Sequence, residues 1–104
     1  MNQQQYRLLC MDIDGTLLNS AHKLPPANRE AVQSAAKNGV TICLMSARPP
    51  RAVFPIRDAL GVDGPLVCCG GGLILSGKNR MADSRLTRAC AQAVLQETQA
   101  RGIH

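Results

Sequence analysis

Apolar residues in this chain come in short runs separated by polar, amphipathic stretches. Arg7 to Ile13 is a compact apolar run that ends in acidic residues and reads as a buried strand. Gly15 and Thr16 break it, and a loop with Asn19, Ser20 and two prolines follows. Pro26 suits the first turn of a helix, where its absent N–H has no partner to lose. That helix should run to about Asn38, with Val32, Ala35 and Ala36 as a narrow apolar face and Gly39 as its stop. Val40 to Met45 is β-branched and apolar, a second buried strand. A helix from about Pro50 to Leu60 presents Val53, Ile56 and Leu60, with Pro55 expected to kink or delay it and Gly61 to end it. Leu66 to Cys69 is a third strand, and Gly70 to Gly72 form a turn. A small hairpin should join Leu73–Leu75 to Arg80–Ala82 around Ser76, Gly77, Lys78 and Asn79. Ser84 should cap a last helix that carries Leu86, Ala89, Cys90, Ala93 and Val94 on one face and stops near Gly102.

The order β-α-β-α-β, hairpin, helix is that of an α/β fold with a parallel sheet and right-handed crossovers. Ligands of such sheets bind at the carboxyl ends of the strands. Here those ends are Asp12 to Thr16, Ser46 to Arg48, and Cys69 to Gly71.

Composition narrows the function classes. The chain has 104 residues, 45% hydrophobic and 18% charged, enough for one domain. No apolar run approaches the ~20 residues of a membrane span, and the polar start, Met1 to Tyr6, does not read as a secretion signal. The net charge of +5 is compatible with an anionic ligand. Tyr6 and Phe54 are the only aromatics, too few for stacking nucleic-acid bases, and the basic residues are scattered. The five cysteines are odd in number and include the adjacent Cys68 and Cys69, which fits a reducing cytoplasm better than a disulfide framework. They read as small, mostly buried hydrophobes. His22 and His104 have no metal-ligand spacing and read as solvated.

The informative segment is Met11-Asp12-Ile13-Asp14-Gly15-Thr16-Leu17-Leu18. Strand alternation puts Asp12 and Asp14 on one side. Two like charges so close need a cation or a shared proton, and Mg²⁺ with its oxygen ligands meets that need. Gly15 lets the chain turn away sharply. Ser46 stands at the second strand end and is either an ordinary loop hydroxyl or a ligand contact. Arg48 either touches ligand or pairs with a loop carboxylate.

Asp12-Ile13-Asp14-Gly15-Thr16-Leu17-Leu18 resembles the first motif of the haloacid dehalogenase-like hydrolases. Met45-Ser46-Ala47-Arg48-Pro49 resembles the second motif of their Cof-type branch (subclass IIB), and Leu66 to Ile74 resembles the strand and turn that follow it. The resemblance implies a partial Rossmann-like core over residues 1–83 and the first helix of an inserted cap over 84–104. It implies a Mg²⁺-dependent phosphatase of small phosphomonoesters, sugar phosphates among them. Asp12 is then the nucleophile that forms an aspartyl-phosphate and Asp14 the general acid and base. Mg²⁺ is held by the Asp12 carboxylate and the Asp14 carbonyl. Phosphate is held by Ser46, Ala47, Arg48 and Gly15 with backbone N–H groups.

Two departures stand out. Ala47 replaces the motif glycine, which requires a negative φ there. Gly70 replaces an asparagine that lies beside the site in the family. The family's lysine and its acidic metal ligand come after the cap, so the chain is expected to be a truncated and inactive part. The alternative is a non-catalytic remnant that binds phosphate or metal weakly, or acts by self-association. With the Asp12 strand at an open sheet edge, dimerisation is expected.

Overall fold

The structure, a computed structural model, describes residues 5–77 and 79–103. The strands are β1 (Leu8–Asp12), β2 (Thr41–Met45), β3 (Leu66–Cys68), β4 (Leu73–Ser76) and β5 (Asn79–Asp83). The helices are α1 (Pro26–Lys37), α2 (Pro50–Leu60) and α3 (Arg88–Ala100). All five strands form one sheet in the order β1-β2-β3-β4-β5. The first three are parallel, and β4 and β5 add antiparallel. The expected hairpin therefore extends the same sheet. Lys78, placed in its turn, lies outside the described residues, as do the first four residues and His104.

Register separates the two sheet faces. Met11, Leu44, Leu66 and Leu75 are successive partners across four strands, and all four belong to the core or pack against it. Right-handed crossovers put α1 and α2 together over this face. Gln33 Nε2 of α1 donates to the Leu60 carbonyl at the end of α2 (3.0 Å), which ties the two helices side by side. Val32, Val53 and Leu60 fill the layer beneath. The next row, Asp12, Met45, Val67 and Ile74, points the other way and is exposed or only half-buried.

Several expectations change in detail. β1 reads as buried in the sequence, yet Leu8 is 55% exposed and Cys10 is exposed, because both lie at the sheet edge on the face that α1 and α2 leave bare. Cys43 and Cys68 are buried as expected, whereas Cys10, Cys69 and Cys90 are exposed. Pro55 does not delay α2, which starts at Pro50 and runs to Leu60. Ser84 is not the cap of α3. Its N–H is spent on the Gly72 carbonyl (2.8 Å), and Thr87 caps instead, its Oγ1 accepting from Cys90 N–H (3.1 Å). No residue of α3 is buried. Among the described residues, no helix is long and apolar enough to cross a membrane.

Candidate active site

Asp12 ends β1 opposite Met45, which ends β2. Beyond them the chain turns in two linked loops. Ser46 N–H donates to the Val67 carbonyl (2.8 Å), and Gly70 N–H donates to the Ser46 carbonyl (3.0 Å). Cys69 N–H donates to the Arg48 carbonyl (3.0 Å), so the loop after β2 is fastened to the turn after β3. These strand ends enclose a cleft of about 370 Å³ lined by Asp12, Met45, Ser46, Ala47, Val67, Gly70 and Gly71. That volume suits a small metabolite. Two of its lining side chains are polar: the Asp12 carboxylate and the Ser46 hydroxyl.

Ser46 is buried, 7% exposed, and its Oγ accepts from Arg48 N–H (3.0 Å). With that acceptor role filled, the hydroxyl proton is free to point at a ligand. Ala47 is not among the positive-φ residues, so the condition set by its replacement of glycine is met.

The two aspartates do not share the cleft. After Asp12 the chain enters a wide turn, Ile13–Leu17, closed by Leu18 N–H on the Ile13 carbonyl (2.9 Å). Gly15 takes φ 76°, a conformation that a side chain disfavours, and this reverses the chain. Asp14, just before it, receives Arg48 in a two-point contact. Nε–H donates to Oδ2 (2.9 Å) and Nη2–H to Oδ1 (2.6 Å). This bidentate bond holds the Asp14 carboxyl below the usual aspartate range and raises Arg48. His22 Nδ1 lies 3.7 Å from Asp14 Oδ1. The sequence reading has His22 solvated; it is exposed, and its neighbour Asp14 has no signal in the spacing.

The cation that the paired carboxylates call for is thus Arg48, at least for Asp14. Arg48, expected among the phosphate contacts, is taken by that ion pair and does not line the cleft. Gly15 does not line it either. The N–H groups of Cys69, Gly70 and Gly72 are all bonded within the protein.

As for a metal, the strand end offers oxygen donors of the type a hard divalent cation takes: the Asp12 carboxylate and the Asp14 carbonyl. Among the described residues, no group of three His, Cys, Asp or Glu converges. The donors present fit Mg²⁺ in kind and supply about two of its roughly six positions.

A parallel α/β domain with an acidic strand end and a hydroxyl facing it defines the class. The sequence profile described as haloacid dehalogenase-like hydrolase matches residues 9–104, and the chain belongs to that family. It is 35% identical over 65 residues to the pyridoxal phosphate phosphatase YbhA of Escherichia coli, covering 62% of this chain and 24% of YbhA. It is 32% identical over 68 residues to a phosphoglycolate phosphatase of Thermoplasma acidophilum, covering 65% of this chain and 30% of that protein. The chain spans about a quarter of the length of the curated relatives it matches. A haloacid dehalogenase-like hydrolase from Bacteroides thetaiotaomicron superposes with a TM-score of 0.85 at 26% identity, covering 92% of this chain and 38% of that one. The subclass IIB sugar phosphatase BT4131 shares the fold, with a TM-score of 0.78 at 23% identity, over 92% of this chain and 38% of its own.

Proposed function

We propose that this chain carries the nucleophile-bearing part of a Mg²⁺-dependent phosphatase that acts on small phosphomonoesters, sugar phosphates among them. The observation that carries the reading is the position of Asp12, which ends the first parallel strand and lines the cleft with Ser46. An Asp12 oxygen attacks phosphorus and the ester oxygen leaves, taking a proton from the Asp14 carboxyl. Asp14, now ionised, deprotonates a water that attacks the aspartyl-phosphate, and Asp12 is regenerated. The Ser46 hydroxyl donates to a phosphoryl oxygen. Bound Mg²⁺, held by Asp12 and the Asp14 carbonyl, offsets negative charge on the phosphoryl group.

Arg48 bears on the first step. While it clamps Asp14, the carboxyl stays ionised and has no proton to give. The acid role needs that clamp to open, and an arriving phosphoryl group is an anion that competes for Arg48. Among the described residues, no lysine lines the cleft. The 104 residues alone are therefore expected to turn over slowly. A second reading, action by self-association, is favoured by the exposed edge strand β1. A cytoplasmic setting belongs to the same proposal and rests on the odd cysteine count.

The test is p-nitrophenyl phosphate hydrolysis with Mg²⁺ by the chain and by Asp12→Asn. Both are expected to stay little above background. Robust turnover abolished by Asp12→Asn would place a complete active site in these residues and overturn the expectation of inactivity.

A further inference from the structure

Cys10 and Cys43 are direct register partners on neighbouring parallel strands. Partners in register project to the same face, here the one that α1 and α2 leave bare. Adjacent strands lie about 4.8 Å apart, inside the roughly 4.4–6.8 Å Cα separation that a disulfide spans. The pair is asymmetric: Cys10 is exposed on the edge strand, and Cys43 is buried one strand inward. Burial and the neighbouring Cys10 hold the Cys43 thiol protonated. Two residues further along, the same strands reach Asp12 and Met45, also register partners and both lining the cleft.

We propose that Cys10 and Cys43 form a redox-sensitive pair, oxidised by hydroperoxides to a cross-strand disulfide that fixes the β1–β2 side of the cleft. The exposed Cys10 sulfur attacks the peroxide, the O–O bond breaks, and Cys10 becomes a sulfenic acid while its thiol proton leaves with the departing oxygen as water or an alcohol. The Cys43 sulfur then attacks the Cys10 sulfur. Its proton goes to the departing hydroxyl, which leaves as water, and the S–S bond forms. Two thiols lose two protons and two electrons, and the peroxide takes up both.

Trypsin resolves the products because each cysteine of the pair falls in its own peptide, 8–23 and 38–51. Brief hydrogen peroxide treatment of the whole chain is expected to link these two peptides. The intact mass should fall by two hydrogens, and dithiothreitol should reverse both changes. The oxidised chain should melt about 5 °C or more higher, because the crosslink restricts the unfolded chain. Cys10→Ser, at an exposed position, should abolish the link. Cys43→Ala should leave a sulfenic acid at Cys10 that dimedone captures, with Cys43→Val as a second variant of better core fit. Three results would overturn the proposal: linkage of Cys10 to Cys10 of a second copy, a Cys68–Cys69 product, or over-oxidation of Cys10 while Cys43 stays a free thiol.

Discussion

Arg48 grips both carboxylate oxygens of Asp14 from 34 positions away in sequence, at 2.9 and 2.6 Å. Asp14 follows the first parallel strand and Arg48 the second, so the sheet brings together what the chain separates.

This ion pair sets a pH dependence. Arg48 lowers the folded-state pKa of Asp14. The pair's contribution to stability is therefore present above the ordinary aspartate value near about 4 and is lost as pH falls through the lowered one. Urea midpoints of the wild type and Arg48→Ala should differ at neutral pH and converge as pH falls below about 4. A carboxyl ¹³C titration should show the Asp14 midpoint rising in Arg48→Ala. Asp14 is half-exposed, so the stability change should be small and weakened by salt.

Gly64 approaches β2 so closely that an added Cβ would stand 1.8 Å from the Ile42 carbonyl oxygen. The clash is with backbone of a buried strand and has no side-chain escape. Gly64→Ala should cost at least about 3 kcal/mol or prevent folding. At Gly72 the nearest atom to such a Cβ is 3.3 Å away and φ is negative, so Gly72→Ala should cost less than about 1.5 kcal/mol. Denaturant melts of the two variants make the comparison.

Leu44 is fully buried beneath α1 and α2, and Leu8 is 55% exposed on β1. Leu44→Ala should lose about 2–5 kcal/mol, whereas Leu8→Ala should stay within about 0.5 kcal/mol. Equal losses at both positions would mean that β1 is covered in solution.

That outcome bears on association. Thr41 N–H donates to the Arg7 carbonyl (2.7 Å), so the odd-numbered residues of β1 bond to β2. Leu8, Cys10 and Asp12 then turn their N–H and C=O groups outward. Such an edge is a template for another strand. Light scattering should show mass rising with concentration, and Leu8→Lys should suppress it. A monomer at high concentration with a cooperative melt would contradict this.

Periodicity and turn residues made the element order legible, along with the faces of α1 and α2 and the strand-end location of the site. They report what lies within one segment. Whether β1 has one neighbour or two, and which face the helices cover, are properties of the whole sheet, so Leu8 and Cys10 read as buried when they are exposed. Ser84 reads as a helix cap because Ser and Thr cap alike; only the Cys90 N–H bond to Thr87 Oγ1 shows that Thr87 takes the role. Arg48 carried both readings, ligand contact and ion pair, and geometry alone places it on Asp14. The register of Cys10 with Cys43 likewise depends on how β1 and β2 align.

The central claim is that a phosphoryl group seats at the strand ends, over Asp12 and Ser46. The most direct test is a ¹⁵N–¹H NMR titration of the chain with inorganic phosphate in the presence of Mg²⁺. Amide shifts should concentrate at Asp12 to Thr16 and Ser46 to Arg48, and Asp12→Asn together with Ser46→Ala should remove them. Shifts confined to other basic surface, such as Arg80 and Arg85 around Asp83, or none at the strand ends at millimolar phosphate, would contradict the account.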